Sequence, residues 1–388
     1  MAAAKITHIA VLLALLFSII STTRCRLIGV IHNDSDDIDN DSDDNDSDET
    51  TTIPADEGQV DSWFKSNVKP YTDRKDSLDP ALVAAEANSK LLKVRKDGGG
   101  DFRTVSEALK RIPDHNTQRV VVLIGPGTYT EKIKIDRAKP FVTLYGDQKN
   151  MPTLIFGDTA AQKGTLDSAS LTVEADYFNA VNLIIGNSAP RPDGKKKDAQ
   201  AVALRISGDK TAFYNCKVLG FQDTLCDDKG KHFFKDCYIE GTVDFIFGNG
   251  KSLYLSTELH VIEGDGMAMI TAQARHTDSE DAGYSFVHCK VTGAGKHAAL
   301  SRAWMPYSKV IYAYTEMSDA VKPEGWSNNF HPENEKSVTY GEYKNKGPGS
   351  NAGGRAKFSK QLNDGDIKPY ITLTFIDGSK WLLPPYKF

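Results

Sequence analysis

Apolar residues along this chain come in short runs rather than helical stretches. Val120 to Ile124, Phe141 to Tyr145 and Leu171 to Val173 are rich in β-branched and aromatic residues, which suit pleated, half-buried strands. Four further segments share one pattern: Asn182-Leu-Ile-Ile-Gly186, Cys216-Lys-Val-Leu-Gly220, Cys237-Tyr-Ile-Glu-Gly241 and Cys289-Lys-Val-Thr-Gly293. Each follows an aromatic leader, namely Tyr177 and Phe178, Phe213 and Tyr214, Phe233 and Phe234, and Tyr284 and Phe286. Cys216 and Cys237 are 21 residues apart, and self-similarity at such a period marks a solenoid. Hairpin dipeptides between the runs are scarce. The pattern therefore predicts an all-β chain whose successive coils stack as parallel sheets, a parallel β-helix.

The N-terminal part of the body reads differently. Leu82, Val83, Leu91 and Leu92 suggest a helix, and Thr104 with Glu107 forms a capping box before Ala108, Leu109 and Ile112. An N-terminal capping helix over the first coil would block the edge pairing that an open solenoid end invites. Residues 348–363 read as loop, and Tyr370 to Phe375 as a last apolar strand.

With 40% hydrophobic and 26% charged residues in 388, the chain can bury a core. Its net charge of −5 is distorted by residues 33–49, which carry nine Asp and one Glu without Lys or Arg. The remainder is nearly neutral, which disfavours a nucleic-acid partner. Self-repulsion and the lack of apolar residues predict a solvated, disordered arm over residues 26–75, with sequons at Asn33, Asn40 and Asn45. Before it, Lys5 precedes an uncharged run from Ile9 to Ile20 and then Ser21, Thr22 and Thr23. That layout predicts a signal peptide over residues 1–25 and secretion. The run is too short to span roughly 30 Å of hydrocarbon, so no membrane anchor is expected. A single catalytic domain is expected over residues 76–388.

Asp223 lies seven residues after Cys216, and Asp244 seven after Cys237. In a solenoid the two carboxylates would stack on adjacent strands, roughly 5 Å apart. At an effective dielectric near 20 their repulsion is about 3 kcal/mol, enough for one to hold its proton while the other ionises. That is the requirement for a nucleophile beside a general acid; the alternative is a pair of solvated loop carboxylates. Asp244 interrupts the apolar run Val243, Phe245, Ile246 and Phe247 and so needs a cationic partner. Gln222 places an amide donor beside Asp223, suited to a developing oxyanion.

At this point the residues resemble a known family, the plant pectin methylesterases. The match rests on Gly127-Thr-Tyr-Thr-Glu131, Gln200-Ala-Val-Ala-Leu204, Gly220-Phe-Gln-Asp-Thr-Leu225, Gly241-Thr-Val-Asp-Phe-Ile-Phe-Gly248, Thr271-Ala-Gln273, and Arg302 with Trp304. The resemblance implies a right-handed parallel β-helix that demethylates homogalacturonan in pectin, with no metal or organic cofactor. It implies Asp244 as nucleophile, Asp223 as acid and then base, Gln200 and Gln222 as oxyanion donors, and Arg302 as the partner of Asp244. Trp304 would stack on sugar, and Phe245 to a lesser degree. It further implies a secreted monomer acting in the cell wall, and a proteinaceous pectin methylesterase inhibitor as a partner. Three stretches depart from the family: Leu300-Ser-Arg-Ala-Trp304 lacks the usual Gly and Pro, Cys226 replaces Tyr, and Ala274 replaces Gly. Two rival readings use the same features. A retaining glycoside hydrolase also needs carboxylates about 5 Å apart, and a wall-binding solenoid needs no catalysis. Cys216 and Cys237, one coil apart, are within reach of a disulfide but equally suit small core positions.

Overall fold

The computed structural model describes residues 52–264 and 266–388. The predicted signal peptide, the acidic tract and the three sequons lie outside the described residues. The described chain winds through three parallel sheets of eleven, eight and eight strands, each coil between the two ends giving one strand to each sheet in turn. This is the parallel β-helix that the repeat predicts. No described helix is long and apolar enough to cross a membrane.

The eleven-stranded sheet begins at Lys90–Val94 and Val120–Ile124 and includes Thr211–Tyr214, Lys231–Lys235, Lys251–Leu255, Gly283–Val287 and Lys309–Ala313. Its central strands are buried along almost their whole length because both faces are covered. Inward, the aromatic leaders form a ladder: Phe213, Phe234, Tyr254, Phe286 and Tyr312 stack in succession with ring centroids 4.5 to 4.8 Å apart. Outward, Phe233, Leu253, Leu255, Ile311 and Ala313 meet the two ends of the described chain.

Those ends correct three expectations. Residues 52–75, assigned from sequence to the disordered arm, include helix α1 (Val60–Asn67), which lies on the eleven-stranded sheet. Phe64 stacks on Phe233 at 5.9 Å, and Lys235 Nζ donates to Asp61 at 2.9 Å. The acidic composition that argues for disorder stops before this segment, where Ile53, Val60, Phe64 and Val68 supply the missing apolar surface. Helix α2 (Pro80–Ala87) contains Leu82 and Val83, but Leu91 and Leu92 belong to the strand Lys90–Val94, in register with Val121 and Val122. Third, Tyr370 to Phe375 forms 3₁₀ turns, Lys368–Tyr370 and Leu373–Ile376, rather than a strand. Its apolar side chains cover a sheet face, which requires no backbone ladder. Truncating Phe64 to Ala should cost about 3 kcal/mol of stability, measured as a lowered unfolding midpoint; an unchanged midpoint would return residues 52–75 to the arm.

Helix α3 (Val105–Lys110) has the predicted capping box, Thr104 accepting from Glu107 N while the Glu107 carboxylate accepts from Thr104 N. It buries Val105, Ala108 and Leu109 against the interior of the first coils.

The repeat itself has a physical basis. Between the eleven-stranded sheet and the third sheet (Lys217–Leu219, Tyr238–Gly241, Glu258–Val261, Lys290–Thr292 and neighbours) every coil from Asn182 onward turns on one residue at positive φ. These are Asn182, Asn215, Asp236, Ser256, His288, Tyr314 and Lys344, with φ between 47° and 56°. Asn182 thus occupies the turn column, one place before the cysteines, rather than matching Cys216. The next column holds Cys216, Cys237, Thr257, Cys289 and Thr315. Each donates its S–H or O–H to the carbonyl two residues back, at 3.3 to 3.6 Å. A thiol and a hydroxyl serve equally there, so the cysteines are corner donors. Cys216 and Cys237 are free thiols in the structure.

Candidate active site

The second eight-stranded sheet contains Leu171–Val173, Leu204–Ile206, Leu225–Asp227, Ile246–Gly248, Ala268–Gln273 and Ala298–Arg302. Both predicted carboxylates stand at its entrance, on the corners leading in from the third sheet. The two corners, Gly220-Phe-Gln-Asp-Thr224 and Gly241-Thr-Val-Asp-Phe245, stack through Thr242 N to Phe221 O at 2.9 Å and Asp223 N to Val243 O at 3.0 Å. Since Leu225 is in register with Ile246, Asp223 sits directly over Asp244. Gly241 permits the turn: a Cβ there would come within 2.2 Å of the Phe245 Cβ. Both aspartates adopt positive φ, 63° and 53°, a conformation that costs about 1 kcal/mol or more and clusters at functional sites.

Asp223 and Asp244 are 9% and 5% exposed. Burial, reinforced by the Asp244 charge, pushes the Asp223 carboxyl up to about 8, with Arg302 opposing. Repulsion alone was the sequence-based reason for a protonated partner; burial is the larger cause. Burial also raises Asp244, but Arg302 works against it through hydrogen bonds and charge. Arg302 Nε donates to Asp244 Oδ1 at 2.7 Å and Nη2 donates to Oδ2. A bidentate guanidinium stabilises the carboxylate form, so within the stacked pair Arg302 favours the charge on Asp244, while burial and that charge favour the proton on Asp223. The cation that the apolar run around Asp244 demands is therefore Arg302.

The remaining predicted residues divide. Gln200 and Gln222 lie at the corners of consecutive coils, linked by Ala201 N to Gln222 O at 3.2 Å. Gln200 Nε2 donates to Thr165 Oγ1 at 3.0 Å, which holds the amide and leaves its second N–H available. Trp304 is 45% exposed and its ring lies 4.5 Å from the Arg302 guanidinium, a cation–π contact at the rim. Phe245 is a correction: it is 0% exposed and belongs to the solenoid core, so it has no face to offer a sugar. Its side chain points inward because the adjacent Asp244 points outward.

The departures from the family pattern are accommodated. Ala303 donates its backbone N–H to Ser327 O at 2.9 Å, a bond that proline could not make. Ser301 is fully buried, with Oγ bonded to Thr271 O at 3.3 Å. Cys226 is buried with Ala169 and Val202, against Phe247.

Sequence reasoning missed two contacts. Asn329 Oδ1 accepts from Arg302 Nη1 at 2.8 Å, completing the arginine's restraint, and Thr165 positions Gln200. Asn328-Asn329 signals a turn, and Asn329 does have positive φ, but nothing in the spacing points it at an arginine 27 residues earlier. Beyond Asp244, the same corner in the next coils forms a depression of about 880 Å³ lined by residues including Glu263, Met267, Lys296, His297, Lys322 and Glu324.

Comparison with known proteins agrees with this geometry. A family model described as Pectinesterase matches residues 92–379. The chain is 60% identical to pectinesterase 1 of Olea europaea over 334 residues, covering 86% of this chain and 91% of that protein. It is 52% identical to probable pectinesterase 50 of Arabidopsis thaliana over 340 residues, 88% and 94% of the two chains. Among solved structures, pectin methylesterase from carrot superposes with a TM-score of 0.70 at 28% identity, covering 76% of this chain and 97% of that one. The deglycosylated pectin methylesterase of Aspergillus niger gives 0.66 at 29%, covering 78% and 99%. The solenoid, its stacked carboxylates and this similarity across most of the chain lead to one conclusion: the chain belongs to the pectinesterase family, the carboxylic ester hydrolases that demethylate pectin.

Proposed function

We propose that this pectin methylesterase works through an aspartyl acyl-enzyme, with Asp244 as nucleophile and Asp223 as general acid and then base. The observation that carries the reading is the asymmetry of the stacked pair: Arg302 binds both oxygens of Asp244, while Asp223 is buried and makes no ion pair of its own among the described residues. An Asp244 oxygen attacks the C6 carbonyl of a methyl galacturonate. The resulting oxyanion takes hydrogen bonds from the Gln200 and Gln222 amides. Collapse breaks the bond to the methoxy oxygen, and Asp223 gives that oxygen its proton, so methanol leaves and an anhydride to Asp244 remains. The ionised Asp223 then takes a proton from water, whose oxygen attacks the anhydride. This frees galacturonic acid, which loses its proton to solvent, and the Asp244 carboxylate, and Asp223 is again protonated.

Trp304 stacks on a sugar ring at the rim. A pectin methylesterase has been solved in complex with a hexasaccharide, which supports an extended oligosaccharide along the cleft here too. The apolar run from Ile9 to Ile20 supports secretion, and the substrate places the enzyme's work in the cell wall. A monomer that also receives a proteinaceous inhibitor completes the reading.

The free-enzyme pH profile tests the roles. Because Asp223 must carry its proton into the first step, kcat/KM for methanol release from a methylated oligogalacturonate should fall as pH rises through about 8. Asp244 must be ionised, so the profile should also fall on the acid side. A flat profile across the alkaline limb would remove Asp223 as the acid. Chain shortening without methanol would point to a glycosidase, and binding without either product to a wall-binding solenoid.

A further inference from the structure

Arg302 is held at more points than its pairing with Asp244 requires. Nε and Nη2 take the two oxygens of Asp244, the ring of Trp304 lies 4.5 Å from the guanidinium, and Nη1 donates to Asn329 Oδ1 at 2.8 Å. A guanidinium is planar and its donors fork in fixed directions, so the contact on Nη1 fixes how the group can rotate. The Arg302 charge also reaches Asp223, where it opposes burial. Released from Asn329, Nη1 would be free to turn that charge toward Asp223, which sits directly over Asp244.

The turn that presents Asn329 is strained. Asn329 and Phe330 are successive residues at positive φ, 57° and 61°. Asparagine enters that region readily and a bulky side chain rarely, and Phe330 is 96% exposed, so its burial does not offset the strain. Side chains of the turn fix its backbone: Asn329 N donates to Ser327 Oγ and Phe330 N to Asn328 Oδ1, both at 3.1 Å. Asn328 Nδ2 in turn donates to Glu335 Oε1 at 2.7 Å. The root is rigid as well. Ser327 is in register with Arg302 on the adjacent strand. Trp326 is buried, stacks on Tyr340 with ring centroids 4.5 Å apart, and donates Nε1 to Glu342 at 3.0 Å. Arg355 clasps Glu342 through Nε and Nη2 at 2.7 and 3.0 Å. A solvent-facing turn that is braced in this way, and strained where it meets the arginine, serves that contact rather than the core.

We infer that Asn329 is a positioning residue: it commits Arg302 to Asp244 and keeps the guanidinium from Asp223, so that charge and proton stay on different members of the pair. This rests on the pectin methylesterase reading and adds the residue that maintains its asymmetry. Among the described residues no second cation pairs with either aspartate. Arg205 is paired with Asp228, and exposed His331 with Glu333. Burial pushes the Cys226 thiol and the Tyr340 phenol up, so both stay neutral. The balance between the two carboxyls therefore turns on where Arg302 points.

The test compares Asn329→Gly with Asn329→Asp in the full chain. Glycine takes positive φ without strain and removes only the carboxamide, which separates a lost contact from a misfolded turn. In Asn329→Gly the alkaline limb of kcat/KM for methanol release should move down from about 8 by about one pH unit, as a cation brought nearer to a carboxyl does. Activity on that side should fall about tenfold. Asn329→Asp places a second anion on Arg302, which should weaken its hold on Asp244 and move both limbs upward. A residue that only shaped the loop would lower activity without moving the alkaline limb in opposite directions. Equal loss at every pH with both limbs in place, or unchanged profiles in both variants, would overturn the inference. Infrared titration of the protonated carboxyl, assigned by its loss in Asp223→Asn, reads the same midpoint without substrate. Absence of methanol from the wild type would instead sink the esterase reading, while the infrared arm would still decide the role of Asn329.

Discussion

Asp244→Asn should abolish burst release of methanol and lower turnover by roughly 10⁴-fold or more, as loss of a covalent nucleophile does. The amide keeps the shape of the corner but cannot attack, and it leaves Arg302 facing a neutral group. Asp223→Asn separates the two roles. It keeps the nucleophile and removes the like charge above it, yet loses the proton for methanol and the base for deacylation. With an activated ester whose leaving group needs no proton, the first step should partly recover in Asp223→Asn, and an acyl group on Asp244 should be visible by mass spectrometry. Recovery in Asp244→Asn, or an adduct on Asp223, would reverse the assignment. Stability gives an independent reading. The folded-state value of Asp223 lies above its ordinary value of 3.8, at about 8. Its contribution is therefore complete below the unfolded value and lost as pH rises toward about 8. Asp223→Asn should flatten that part of the stability profile.

Arg302→Ala should reduce kcat by about 10² to 10³, corresponding to the roughly 3 kcal/mol or more lost when a buried pair is broken from one side. Its removal leaves Asp244 buried with no cation and moves its carboxyl further up, so the nucleophile is protonated where the wild type is ionised. The acid limb of the pH profile should shift upward with it, a signature that a merely structural role would not produce. Trp304→Ala should act mainly on KM, by about tenfold, because the ring is half exposed at the rim. Its contact with Arg302 at 4.5 Å predicts a smaller accompanying loss in kcat. If Trp304→Ala lowered kcat more than Arg302→Ala, the two roles would have to be exchanged.

How much of this is legible without coordinates depends on whether the information is periodic. Asp223 and Asp244 can be paired from spacing because a solenoid converts a repeat of 21 residues into stacking. Arg302 can be demanded, since a carboxylate inside an apolar run needs a cation, but only the resemblance to a family identifies which one. Phe245 shows the limit: beside the proposed nucleophile it looks like part of the cleft, and the inward alternation of the strand makes it core. Asn329 and Thr165 lie on irregular corners whose paths follow from packing, so no period leads to them.

The sequence by itself determined the coil. Apolar runs of strand length, aromatic leaders and a regular period leave stacking in parallel as the way to satisfy both backbone and core, and that stacking places the two aspartates together. Tertiary structure alone decided which face became the site. The segment from Ile53 to Val68 and the C-terminal turns around Ile371 to Ile376 cover the outer side of the eleven-stranded sheet, leaving the catalytic sheet's corners open to an extended polymer. Covering one face or another satisfies the same hydrophobic demand, because burial is non-directional. Only the path that these chain ends take across the folded coil selects between them.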